Sequence, residues 1–415
     1  MPLVPYLVNN QYGFVEKGTS NVLINPIYKK AEPEICSRLV VAKSEDGEKG
    51  VVDTDNNVVL PLLNHRVQIF ETTQLITSLG EKDHSVLTDL DGHKICSLKT
   101  DNHYFDFTFR QSTFEYNNNY GIITKEGEIL FQPEYQQALV LGEQQILLQK
   151  KERDYQIVDD KGETIFSVVT DYLNHENGKF IITQDNKVGL LDENGQELIA
   201  PQYVNLWLFK EYVFAQNEQE KWGLLNLLGQ ILLPFQYDAL QVENEWPLVA
   251  RVDAQFFLIT EDLTIFPLSS DILEASRGVA GYIPVQKANH KWEYINTKGK
   301  TSIEGDYFAA SVFNENETAV VAIKKPYRYS LINKKGEVLT KKTYNYMSKC
   351  NQHFIGVEKG KRRNRYGVLN MHGQEIAPCN YVDIFYYGQF VHPSNNIIDE
   401  PEPFYDADGY KYSAD

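Results

Sequence analysis

Short apolar runs broken by polar turn residues recur along the whole chain, and the breaks keep a period. A turn residue, usually Gly, falls at Gly18, Asn56, Gly92, Gly127, Gly162, Gly195, Gly229, Leu263, Gly299, Gly336, Gly373 and Gly409, 33 to 38 residues apart. Three residues before all but the first stands Asp, Asn or Thr: Asp53, Asp89, Thr124, Asp159, Asp192, Asn226, Thr260, Asn296, Asn333, Asn370 and Asp406. A fixed period of this length marks a repeat architecture built from one supersecondary unit. In Tyr120-Gly121-Ile122-Ile123-Thr124-Lys125-Glu126-Gly127 a strand ends at a residue whose side-chain oxygen can hold a backbone N–H two positions on. Gly then takes the left-handed conformation that closes a hairpin. A second strand follows at once and is expected to end at Pro133, which lacks an N–H, with Tyr135 as a core or corner residue. Stretches such as Gln145–Gln149 and Leu248–Val252 supply a further strand or two per unit. Helical spacing is hard to find, so the pattern predicts an all-β chain.

Four copies align over their full length, starting at Tyr120-Gly121, Val188-Gly189, Trp222-Gly223 and Tyr366-Gly367; in each the turn Gly lies six residues after the first Gly and a Tyr eight residues after that. The aromatic-Gly pair, the Asp/Asn-x-x-Gly turn and the Pro-x-x-Tyr exit resemble the WG (KWG) repeat, with Trp222-Gly223 as the literal signature. Trp292-Glu293 and Tyr329-Ser330 have lost the glycine, and the copies near Val86, Gln156 and Phe257 are degenerate. The resemblance covers roughly residues 10 to 390, with a partial unit from Phe404 to Tyr412. It implies a bacterial protein that works through repeat-mediated interaction rather than a defined reaction.

The 415-residue length alone would suggest two or three domains, but the units tile nearly the whole chain without a Pro/Ser/Gly-rich linker. Residues 1–390 are therefore expected as one continuous array, and 391–415 as an acidic tail with a partial capping repeat. An elongated solenoid or superhelix of about twelve hairpin units fits that tiling best. The alternative is a closed β-propeller-like array, disfavoured because propellers usually have four to eight blades.

Four widely spaced cysteines (Cys36, Cys96, Cys350, Cys379) read as free thiols of a reducing cytoplasm. The N-terminal stretch makes a poor signal peptide, and no run approaches the roughly 18 apolar residues of a spanning helix. Net charge is −17, yet between Lys324 and Arg365 thirteen Lys/Arg stand against Glu337 and Glu358 alone, a local +11. Lys359, Lys361, Arg362, Arg363 and Arg365 form its sharpest cluster and the candidate partner-binding patch. A solvated loop balanced by acids of neighbouring units is the plainer reading. The negative field discourages nucleic-acid binding.

Apparent chemical motifs dissolve into the repeat. Gly299-Lys300-Thr301-Ser302 lacks the earlier glycine of a phosphate loop, since Tyr294 stands there. Asp89-Leu90-Asp91-Gly92 and Asp406-Ala407-Asp408-Gly409 fall out of step with a calcium loop. No catalytic residue, cofactor or metal site is expected. The function expected is a non-enzymatic protein-interaction scaffold whose partner is another protein, including an immunity or accessory role in a bacterial toxin or secretion system. The alternative is a carbohydrate- or envelope-binding module using exposed aromatics, with Trp207, Trp222, Trp246 and Trp292 as candidates.

Overall fold

A computed structural model of the chain describes residues 3–28, 30–31, 38–44, 46–79, 84–101, 105–241, 245–351, 353–359, 364–387, 390–395 and 402–413. Among these residues the chain forms twelve small antiparallel sheets, mostly four-stranded, each taking its strands in sequence order. Blade 7 shows the pattern with strands Asn205–Phe209, Tyr212–Gln216, Trp222–Asn226 and Ile231–Tyr237. The two middle strands are buried along their centres, as expected where both faces of a sheet are covered, whereas the fourth alternates exposed and buried positions.

Twelve apolar clusters hold the sheets together, and each lies between consecutive blades. Phe214, Leu224 and Leu233 of blade 7 meet Leu240, Leu248 and Ile259 of blade 8. The series returns to its start: Val4, Leu7, Tyr12 and Val15 of the first blade pack on Phe390, Phe404 and Tyr412 of the last. Polar contacts reinforce that seam. The Tyr12 hydroxyl donates to the Glu402 carbonyl at 2.8 Å, the Gly18 N–H donates to the Tyr412 hydroxyl at 2.9 Å, and Leu7 bridges Ser413 in parallel. The array is thus a closed, propeller-like ring and not the elongated solenoid expected from the tiling. Twelve small blades need turn only about 30° each to close, so blade number alone is no bar to closure. The segment expected as an acidic tail supplies strands Phe390–Ser394, Phe404–Tyr405 and Lys411–Tyr412 of blade 12 through its described residues, and these strands make the seam.

The turn phrase is mechanical. In the eleven copies with Asp, Asn or Thr, the turn residue's N–H donates to that residue's carbonyl, as from Gly195 to Asp192 at 3.2 Å and from Leu263 to Thr260 at 2.8 Å. The Asp192 Oδ1 also accepts from the N–H groups of Asn194 (2.9 Å) and Gln196 (2.8 Å), and Asn226, Asn296, Asn333 and Asn370 repeat the arrangement. Turn residues adopt positive φ even without glycine, as at Asn56 (63°) and Leu263 (62°). Asp192→Ala leaves two N–H groups without their acceptor and should cost about 1 kcal/mol, whereas Asp192→Asn should be near neutral; urea denaturation of the two variants measures the difference.

The Trp/Tyr-Gly pair opens the third strand, and its glycine answers a bulge in the fourth. Val188 pairs with Tyr203 and Leu190 with Ile199, so Gly189 faces an outward loop of edge strand that carries Pro201. A Cβ on Gly189 would stand 2.6 Å from the Ile199 carbonyl oxygen and 2.7 Å from the Pro201 nitrogen. The proline therefore sits inside a bulged edge strand, where its missing N–H is harmless, rather than ending the strand. The paired residues flanking the glycine are aromatic in blades 1, 4, 7 and 11, as Tyr12 with Tyr28, Tyr120 with Tyr135, Trp222 with Tyr237 and Tyr366 with Tyr381. Of the recurring tyrosines, Tyr203 and Tyr237 are buried and Tyr28, Tyr135 and Tyr381 half-buried.

Where the glycine is gone the bulge has changed. Val86 and Gln156 lie in unbroken register with Ser97 and Ser167. Ser330 is buried in blade 10, whose edge segment pairs through isolated bridges at Val338 and Tyr344, and its hydroxyl meets that of Thr340 at 2.5 Å. Glu293 does oppose a bulge, but one carrying Gly305 in place of proline. Gly189→Ala should cost about 1–3 kcal/mol by driving a methyl group into backbone; the shift in denaturation midpoint reads it, and a shift within error would refute the close-approach role.

Candidate functional site

Several cavities lie in blades 8 to 11. About 390 Å³ opens between blades 8 and 9 beside Arg251 and Trp292, and about 450 Å³ on blade 9 beside Lys287 and Glu304. Another, about 560 Å³, lies between blades 10 and 11. Its origin is a first strand cut to Ala309–Ala310, after which the chain turns away and sends Phe313 into the core against Tyr294 and Tyr282. The vacated edge is blunted: the Val320 N–H donates to the Ser311 Oγ at 2.9 Å, and Asn314 Oδ1 accepts from Asn316 and Thr318. The result is a groove walled by side chains, with Val320, Tyr329, Met347 and Phe354 along it and the Glu315–Lys349 ion pair (2.6 Å) on it.

The basic stretch is partly neutralised from neighbouring segments. Lys334 pairs with Glu317 at 2.6 Å, and Lys342 pairs with Glu375 at 2.6 Å and Glu358 at 3.0 Å. Arg328 holds the Thr343 carbonyl at 3.1 Å, and Arg365 the Asn380 carbonyl at 3.0 Å. Lys361, Arg362 and Arg363 of the candidate patch lie outside the described residues, as does the side chain of Lys359. Among the described residues no carboxylate makes an ion pair with Lys324, Lys335 or Lys341. Next to the groove, Tyr329 lies in ring contact with Tyr327 (6.3 Å) and Tyr346 (6.1 Å), both more than half exposed. This tyrosine group was not singled out from sequence; its signal was the surplus of Tyr within the basic stretch.

The four tryptophans are half-buried; Trp207, Trp222 and Trp246 pack on one core cluster, Trp207 stacking on Phe214 at 3.9 Å, and Trp292 lines the cavity between blades 8 and 9. Gly299 is a turn glycine (φ 75°) leading into strand Thr301–Tyr307. Asp89, Asp91 and His93 come close enough to share an ion, but they occupy one exposed turn. Asp89 already spends its oxygens on the N–H groups of Asp91 and His93 and on the His93 ring at 3.0 Å, bonds that hold its carboxyl below the usual range. His353 is fully buried, His290 sits in a turn at φ 59°, and His372 is exposed. Burial pushes the Cys379 thiol up to about 12, an inert rather than a reactive state.

A family model described as "WG containing repeat" matches residues 222–245. No curated protein matches the sequence. Among solved structures, BamB from Moraxella catarrhalis is 10% identical over 74% of this chain and 94% of its own, with a TM-score of 0.30. The computationally designed Ika8 protein is 10% identical over 70% of this chain and 91% of its own, TM-score 0.27. Kluyveromyces lactis Hsv2p is 8% identical over 63% and 93%, TM-score 0.29. These scores are too low for any of the three to inform function. The signature matched is blade 7's third strand, turn and fourth strand, and the same parts recur around the ring. One WG repeat is thus matched in blade 7, and its turn and strand pattern recurs in the other blades of the closed ring.

Proposed function

We propose that this protein is a non-enzymatic scaffold that binds another protein through blades 8 to 11. The observation that carries the reading is the shared placement on that arc of grooves of about 390 and 560 Å³, the exposed tyrosines 327 and 346 and lysines without an ion-pair carboxylate among the described residues. An apolar groove lined by Met347 and Phe354 with tyrosines beside it suits protein contacts, where Tyr, Phe and Met are enriched. The thiols of Cys96, Cys350 and Cys379 are free, which supports a reducing cytoplasm as the place of action. An immunity or accessory role beside a bacterial toxin or secretion component is the narrower form of the proposal, supported only by the usual setting of such repeats. Crosslinking of the tagged protein under gentle lysis in its host should trap a stoichiometric partner attached to this arc. Monomer alone would contradict the proposal.

A second reading, a glycan-binding surface, draws on the exposed Tyr327–Tyr329–Tyr346 group, because such rings can stack on sugars. A glycan array with no binding that depends on Tyr327 and Tyr346 rejects it.

A further inference from the structure

The groove between blades 10 and 11 has a second cavity beside it. About 330 Å³ is lined by Lys334, Lys335 and His372, and it shares Thr318 with the 560 Å³ groove. The two are separated only by the turn from Asn314 to Thr318, which is braced by the Asn314 side chain. One compartment is apolar, with Val320, Met347 and Phe354 among its walls. The other presents the ammonium groups of Lys334 and Lys335 and the His372 ring beside Glu317. The nearest acids are already engaged, Glu315 by Lys349 and Glu317 by Lys334, each at 2.6 Å, while Lys335 is exposed without a carboxylate partner. Lys349 holds the Glu315 carboxyl below its usual range, so the pair persists as an ion pair under ordinary conditions.

Resting on the scaffold reading above, we propose that the paired cavities seat an acidic segment of the partner protein, with one aromatic or aliphatic side chain in the groove and a neighbouring carboxylate on Lys335 and His372. The fit follows from charge and size. Within a chain of net −17 the two cavities carry Lys334, Lys335 and Lys349 against Glu315 and Glu317, so an acidic segment is favoured here over the acidic surface elsewhere. A volume of 560 Å³ lies within the range of about 300–1,000 Å³ typical of sites that enclose a ligand group. Strand addition is not the mode, because Ser311 and Asn314 cap the edge that a peptide strand would have to pair with. Recognition is therefore through side chains, and it is sequence-selective.

The probe is a displayed library of short random peptides panned on the full chain. Enriched sequences should pair Asp or Glu with an aromatic or large aliphatic residue. The affinity of an enriched peptide, read by fluorescence polarisation, should fall at least about tenfold in Lys335→Glu, which reverses the unpaired cation, and in Ser348→Trp, which plugs the groove. Lys335 is a surface residue, so its variant keeps the test valid if the tryptophan variant misfolds. No enrichment, enrichment of basic peptides, or affinity indifferent to Lys335→Glu overturns the proposal. So does tight binding of single-stranded oligothymidylate with no acidic peptide enriched, which would assign the cations to nucleic acid. A partner crosslinked equally by wild type and both variants would overturn this site while leaving the scaffold reading standing.

Discussion

Phe404→Ala should destabilise the chain by about 3–5 kcal/mol, as much as truncating a comparable phenylalanine in a central blade. Phe404 lies near the end of the sequence, yet it is fully buried in the seam between the last blade and the first. Its ring meets Tyr12 at 6.1 Å, Tyr387 at 5.7 Å and His392 at 4.5 Å. In an open array a terminal unit contacts one neighbour only, and its loss is absorbed by local fraying. In a ring no unit is terminal, so a cavity in the seam is felt by the cooperative whole. Phe214→Ala, at an equally buried position in blade 7, is the matched control. Chemical denaturation of both variants should give similar losses; a Phe404 loss below about 1 kcal/mol beside a large Phe214 loss would mean that the seam does not hold the blades in a cooperative ring.

Acid should weaken the same seam. Burial lowers the pKa of His392 from 6.5 to about 4, against the aromatic rings of Phe404 and Phe385 and only partly offset by the Glu402 backbone. Burial also lowers that of His353, offset in part by Asp406 of blade 12. The Asp406 carboxylate is itself occupied by the N–H groups of Asp408 (3.1 Å) and Tyr410 (2.9 Å) and by the Tyr412 hydroxyl (2.9 Å). Above the unfolded value of 6.5 both histidines are neutral in folded and unfolded chains, and stability is level with respect to them. As the pH falls, the unfolded chain binds protons that the folded chain refuses, so stability is lost until the folded pKa is reached. For His392 that window runs from 6.5 down to about 4 and is worth about 3 kcal/mol at most. His392→Gln should flatten the fall by about that amount when unfolding free energy is followed across the window. An unchanged slope would show that His392 is not held neutral in the fold.

Much of the fold was legible because its repeating chemistry is local. The Asp/Asn-x-x-Gly turn declares itself in four residues: Asp192 and Asn226 make the same two side-chain bonds to the backbone whatever surrounds them. The number of units followed from that period. The role of the first glycine was less legible, since it depends on the strand opposite. Gly189 is required by the bulge at Pro201, whereas the serine at 330 is accommodated by its hydroxyl contact with Thr340 in the edge segment opposite. Closure was legible only as the alternative to a solenoid. It rests on contacts such as Tyr12 with Glu402 and Gly18 with Tyr412, almost four hundred residues apart, and small per-blade rotations set by side-chain packing decide whether the ends meet. The groove was foreshadowed only in outline, by the irregular unit at Glu293 and the basic stretch after it. Its apolar floor required the shortening of one strand at Ala310, which no turn signal announced.

Small-angle X-ray scattering of the monomer tests the closed ring most directly. A compact chain of this length has a radius of gyration of about 22 Å, and a ring with an open centre should exceed that by only a few ångström. The profile should fit a flat, closed disc, and it should lengthen when the seam is opened by Phe404→Ala in mild denaturant. A rod-like profile from the unmodified chain, with a radius of gyration far above that value, would contradict the ring.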